Sequence, residues 1–156
     1  MLTILFFIFL AACFTAGSTG SFFPTGQWYR ELEKPPWNPP DWVFPVTWSI
    51  LYVLMSYSAA RVALLPDNGI AMAFWALQIS LNTLWTPVFF GLHRIRMGFF
   101  ILTALWFAVA GTLIAFFVLD VISGLLFLPY LVWVSIAASL NLYVWKLNSE
   151  KANITF

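Results

Sequence analysis

Five long apolar stretches leave this chain few folds to choose from. They cover 2–22, 42–64, 70–91, 97–119 and 123–146. A helix crossing the hydrocarbon core of a bilayer needs about 20 apolar residues, within a range of roughly 17–25. Each stretch meets that length. Lipid offers no partner to a free backbone N–H or C=O, so such segments are expected to be helices. Composition agrees: of 156 residues, 62% are hydrophobic and 8% charged, where a soluble domain carries about 25% charged residues. The expected fold is an all-α membrane protein, one domain over 1–156 built as a bundle of five transmembrane helices. The links at 65–69, 92–96 and 120–122 are short and force neighbouring helices to run antiparallel. The link at 23–41, loop 1, is longer.

Charge predicts the orientation. Arg30 and Lys34 lie in loop 1, Arg94 and Arg96 between the third and fourth stretches, and Lys146 and Lys151 at the C-terminal end. All of these fall on one side of the expected bundle, and Arg61 alone falls on the other. The side rich in Lys and Arg faces the cytoplasm, which puts the N-terminus outside and the C-terminus inside. A net charge of +1 gives no argument for a nucleic-acid partner. Leu10-Ala11-Ala12-Cys13 resembles a lipoprotein cleavage box, but no Lys or Arg precedes it and the apolar stretch runs on to Phe23. It is therefore read as an uncleaved first helix.

The helices carry patterned faces. Gln78, Asn82, Trp85 and Phe89 share one face of the third helix, as i, i+4, i+7 and i+11 positions do. Trp48, Tyr52, Met55 and Ala59 do the same in the second, and Tyr130, Trp133, Ala137 and Asn141 in the fifth. Amides inside a membrane helix are expected to turn inward. Large aromatics beside small or polar residues suit either plain packing or a cavity for a flat ligand, and the pattern leaves both open. Small residues at Ala12, Ala16 and Gly20, and at Ala104, Ala108, Gly111 and Ala115, allow close helix approach. Bundle packing is the simpler use, a homodimer face the sharper one. Pro45, Pro87 and Pro129 either widen a pocket or merely shape the bundle.

Loop 1 holds five prolines together with Trp28, Tyr29 and Trp37. Interfacial aromatics often form a belt at the membrane surface. A loop longer than about 12 residues is also often a functional lid, and this stiff aromatic one is placed to cap the cytoplasmic end of the bundle.

Several chemistries lack their residues. No Asp or Glu lies inside an expected span, and Asp120 sits at a helix end, which argues against an ion-coupled transporter. One histidine and one cysteine make neither a metal cluster nor a nucleophile–base pair with support. His93 reads as a solvated loop residue beside Arg94 and Arg96 rather than as an axial haem ligand.

Four blocks together resemble a known family. Trp28-Tyr29-x-x-Leu32-x-Lys34-Pro35-x-Trp37-x-Pro39-Pro40 is similar to the loop-1 signature of the TspO/MBR family. That family comprises tryptophan-rich sensory proteins and the mitochondrial translocator protein, or peripheral benzodiazepine receptor. Asn82-Thr83-Leu84-Trp85-Thr86-Pro87-Val88-Phe89-Phe90-Gly91 resembles its helix 3. Pro129-Tyr130-Leu131-Val132-Trp133 and Leu140-Asn141-Leu142-Tyr143-Val144-Trp145-Lys146 resemble its helix 5.

The resemblance implies a receptor or sensor in the bacterial cell envelope. It would bind tetrapyrroles such as protoporphyrin IX and haem, and also sterol-like or benzodiazepine-site ligands. Position by position, it implies a pocket of Tyr29, Trp37, Trp48, Asn82, Phe90, Trp133 and Ala137, with porphyrin or haem as ligand and no required cofactor. Ala137 matches a position where a larger residue weakens sterol or drug binding. Trp48 and Trp133 match a pair implicated in light- and oxygen-dependent porphyrin degradation, and a porphyrin or sterol transporter is a further alternative. Leu140, Tyr143 and Lys146 fit a proposed sterol-contact pattern that is weak by itself; an interfacial anchor is the reading preferred here.

Overall fold

The computed structural model describes residues 1–149. Every regular element among them is helical, in the order α1 (Leu2–Phe22), α2 (Gln27–Glu31), α3 (Val43–Val62), α4 (Gly69–Thr86), a π-helical turn (Pro87–Gly91), α5 (Ile95–Leu119) and α6 (Val121–Leu147). Four helices, α1, α3, α5 and α6, are long and apolar enough to cross a membrane, with mean hydropathies of 2.0, 1.4, 2.3 and 2.1. The remaining long helix, α4, has 18 residues, and Gln78, Asn82, Thr83 and Thr86 dilute its apolar character. Lys151, one of the basic residues in the charge pattern, lies outside the described residues.

The expected boundaries shift where a side chain or a proline intervenes. α3 stops at Val62, short of 64, because the Asn68 amide donates to the carbonyls of Val62, Ala63 and Leu65 at 3.2, 3.1 and 3.0 Å. α6 starts at Val121 rather than 123 because Asp120 caps it, accepting from the Ser123 N–H at 3.2 Å. The third stretch changes form at Pro87. Proline has no N–H to give, and the chain widens there into a π turn closed by Leu92 N–H to Pro87 O at 2.9 Å. Loop 1 contains the short helix α2, which periodicity did not predict.

The long helices form a ring in the order α1, α3, α6, α5, α4 and back to α1. Small residues set its tightest contacts. A Cβ on Gly17 would lie 2.7 Å from the Tyr52 ring, joining α1 to α3; one on Gly111 would lie 2.6 Å from Phe74, joining α5 to α4. Ala16 and Ala108 are buried in the bundle as well, whereas Ala12 and Ala104 face outward. The ring's centre is filled by Met55, Ala59, Val109, Phe116, Phe127 and Tyr130, all fully buried. Its outer face is apolar: Phe107 is 65% exposed and Val118 78%. A surface of this kind is solvated by lipid, and the protein is an integral membrane protein.

Contacts sort the links into two ends. Loop 1 meets the 92–94 link where Trp28 stacks on His93, ring centroids 4.3 Å apart. It meets the end of α6 where Asn148 bonds the backbone of Glu33. At the opposite end Arg61 clasps Asp120 with bonds of 2.8 and 3.1 Å. The one basic residue expected away from the others is therefore neutralised by a carboxylate.

Candidate functional site

Loop 1 is anchored before it reaches the cavity. Leu32 is buried with Phe89, Ile95 and Val144, so the turn after α2 is pinned against the π turn and α6. That sets Tyr29 edge-on to Phe90 at 5.2 Å and to Phe89 at 6.2 Å. The Lys34 ammonium lies 4.5 Å from the Tyr29 ring centroid and donates to Leu32 O at 3.1 Å. Burial, and then the nearby Asp41 charge, push the Tyr29 hydroxyl above its ordinary pKa, so it stays a neutral donor. Burial lowers Lys34, with Asp41 opposing.

Beneath this lid lies a cavity of about 520 Å³. That volume falls within the roughly 300–1,000 Å³ of small-molecule sites. Its walls come from Phe14 and Gly17 of α1, Phe44, Trp48 and Tyr52 of α3, and Trp85 beside Asn82 on α4. Leu102 and Leu105 of α5 form the apolar base, and Phe23, Tyr29 and Asp41 of loop 1 the mouth. Aromatic faces dominate, which suits a flat apolar ligand.

One polar node interrupts the apolar wall. The Tyr52 hydroxyl donates to Asn82 Oδ1 at 3.4 Å, and Asn82 Nδ2 donates to the Tyr130 hydroxyl at 3.0 Å. Asn82 is 6% exposed and Tyr130 is fully buried. The inward turn of the amides expected from helical spacing is thus realised. Asn141 likewise turns in, donating to Ile95 O at 2.9 Å and accepting from Trp85 Nε1 at 3.4 Å.

Of the seven residues that the resemblance assigned to a pocket, the structure brings Tyr29, Trp48, Asn82 and Phe90 onto this cavity. The other three stand apart from it. Trp133 is buried and packs edge-on against Phe44 at 5.6 Å, one layer behind the wall. Ala137 sits partly buried against the core on α6, which contributes nothing to the lining. Trp37 is 46% exposed and packs on Tyr143 at 5.6 Å. The sterol pattern is split as well: Leu140 is buried, while Tyr143 and Lys146 face outward. Among the described residues no group of three or more His, Cys, Asp or Glu is placed to hold a metal ion. His93 is exposed, stacked on Trp28 away from the cavity. Sequence reasoning missed the α1 wall; Phe14 and Gly17 flank a small-residue stripe that was read only as a packing surface.

Sequence comparison places the chain in a family. The sequence profile of the TspO/MBR family matches residues 9–146. A protein named CrtK from Rhodobacter capsulatus is 52% identical over 155 residues, covering 97% of each chain. The tryptophan-rich sensory protein of Cereibacter sphaeroides is 49% identical over 92% of this chain and 91% of its own. The human translocator protein is 31% identical over 83% of this chain and 81% of its own. With a family match over nearly its whole length and relatives of this identity, the chain belongs to the TspO/MBR family.

Proposed function

We propose that this protein is a membrane receptor or sensor that binds a tetrapyrrole, protoporphyrin IX or haem, in the cavity beneath loop 1. The observation that carries the reading is the lining: aromatic rings of Tyr29, Phe44, Trp48, Trp85 and Phe90 around a cavity of about 520 Å³, with Asn82 as the polar contact. Rings supply apolar contact with defined stacking geometry, and one convergent amide fixes orientation. The Lys34 ammonium beside Tyr29 would offset the Asp41 carboxylate at the mouth, and the Leu102 and Leu105 base suits the ligand's apolar edge. Sterol-like and benzodiazepine-site molecules are apolar enough to share the site. Trp133 lies behind Phe44, and Trp37 and Ala137 lie off the lining of this cavity.

In this reading all five long helices span a bacterial envelope membrane, α4 being completed by its π turn. The loop 1 end faces the cytoplasm, because it gathers Arg30, Lys34, Arg94, Arg96 and Lys146. Copies of a homodimer would meet through outward small residues, Ala12 of α1 or Ala104 of α5. The experiment is tryptophan quenching by protoporphyrin IX in the dark, for the native protein and for Asn82→Leu and Phe90→Ala. Saturable quenching at micromolar ligand, weakened in both variants, supports the site. Unsaturable quenching, equal in all three, removes it. Trp48 on the cavity wall favours one second reading, photochemical degradation; it requires porphyrin loss that depends on light, oxygen and Trp48 together.

A further inference from the structure

Among the described residues, the buried side-chain polar atoms without a partner are concentrated on one helix. They are Trp75 Nε1, Gln78 Nε2, Gln78 Oε1 and Trp133 Nε1, and all but the last belong to a single turn of α4. Trp75 is 5% exposed and Gln78 fully buried. Residues three and four apart are neighbours on a helix surface, so Trp75, Gln78 and Asn82 climb one face toward the cavity. Above Gln78 stands the Tyr52–Asn82–Tyr130 node. Asn82 Nδ2 donates to the Tyr130 hydroxyl, which leaves that hydroxyl's own hydrogen to be donated onward.

A buried amide with neither atom bonded is costly, because it has given up water and gained nothing. Met would fill similar space without that cost. Internal water meets such groups when it finds two to four polar partners. This turn offers an acceptor, Gln78 Oε1, and donors in Trp75 Nε1 and Gln78 Nε2, and α6 adds the free Tyr130 hydrogen.

We propose that Trp75 and Gln78 form an internal water site in the core of the bundle, beneath the Asn82 node. Bound water accepts the Trp75 indole hydrogen and donates to Gln78 Oε1. The polar node in the cavity wall then continues along α4 as a hydrated column. Asn82 is thereby joined to a group that can rearrange when a ligand takes one of its bonds. The inference does not depend on which ligand fills the cavity.

The chain has two glutamines, Gln27 and Gln78, so selective side-chain ¹⁵N labelling yields two amides. Gln27 is an exposed internal control, bonded to Glu31 at 2.7 Å. In nanodiscs, the Gln78 amide is expected to show cross-relaxation to a long-lived water, a signal that Gln78→Met removes. A Gln78 amide without any water contact, beside a normal Gln27, overturns the proposal. Stability supplies a second readout with opposite signs. A hydrated Gln78 predicts that Gln78→Met lowers the folded-to-unfolded ratio about three- to tenfold, because water and Trp75 lose a partner. A rise in that ratio means the amide was unsolvated, and the proposal fails.

Discussion

Asn148 and Glu33, 115 positions apart, are joined by a paired amide contact: Glu33 N–H donates to Asn148 Oδ1 at 3.1 Å, and Asn148 Nδ2 donates to Glu33 O at 2.9 Å. The side chain behaves as a strand edge would, satisfying one residue of backbone in a loop stiffened by proline. Asn148 also caps its own helix by donating to Val144 O at 2.8 Å. The end of α6 and the lid are therefore one mechanical unit. Asn148→Ala is expected to cost about 1–3 kcal/mol, since it removes two hydrogen bonds worth about 0.5–1.5 kcal/mol each. It should also speed amide exchange at Glu33 and shorten ligand residence. Hydrogen exchange read at Glu33 checks this; unchanged exchange there would mean that Leu32 alone holds the lid.

The far end of the bundle should respond to acid. The hydrogen bond from Arg61 holds the Asp120 carboxyl well below the usual carboxylate range, against partial burial and with help from Ser123. The folded pKa is the lower one, so the stabilisation is complete above the unfolded value of roughly 4 and fades as pH falls through the folded value. Asp120→Asn should flatten that acid dependence while still capping α6, because Asn caps nearly as well as Asp. Asp120→Ala loses the cap too and should cost about 1 kcal/mol more than Asp120→Asn. Melting curves in detergent across an acidic pH series measure both effects.

Glycine substitutions should separate tight contacts from open ones. A Cβ on Gly124 would lie 2.5 Å from Phe117 Cβ and 2.6 Å from its Cα, so backbone would have to move. Gly124→Ala should therefore destabilise the α5–α6 pair by about 1–3 kcal/mol or more. Gly20 has nothing within 4 Å of its would-be Cβ. Gly20→Ala should be neutral, or stabilise α1 by about 0.5–1 kcal/mol through helix propensity. Equal losses in the two variants would contradict the packing described here.

The inward faces were legible because they are periodic. Gln78, Asn82, Trp85 and Phe89 sit at helical spacing, and amides must find partners in lipid. The α1 wall was not legible, because a helix that is apolar all round does not announce which side faces its neighbours. Nothing local marks Phe14 or Gly17 as cavity residues. Trp133 and Ala137 lie on a face correctly read as inward, yet the cavity opens on the α1 side of the ring. Ring order is a property of the assembled helices and has no period. Pro87 was visible as a break, but whether it would kink, stop or widen the helix depends on Leu92 finding the Pro87 carbonyl. The Asn148–Glu33 contact joins two irregular segments whose register no pattern encodes.

Orientation is open to a direct chemical test because the native cysteine is silent: Cys13 is fully buried, so a membrane-impermeant thiol reagent has little to react with in the parent protein. Gly69, at the start of α4, is exposed with open space around its would-be Cβ. Arg94, at the loop 1 end, is also exposed. The two positions lie at opposite ends of the bundle. If the end bearing Lys34, Arg94 and Lys146 is cytoplasmic, Gly69→Cys is labelled from outside when the outer leaflet alone is accessible. Arg94→Cys is then labelled only after the membrane is opened. Replacing Arg94 removes one cation from the basic end, so a charge-neutral partner, Leu92→Cys, exposed at the same end, guards against an inverted insertion caused by the substitution itself. The reverse labelling pattern in all three variants would place the lid outside, and Lys34 and Tyr29 would then receive their ligand from the opposite compartment.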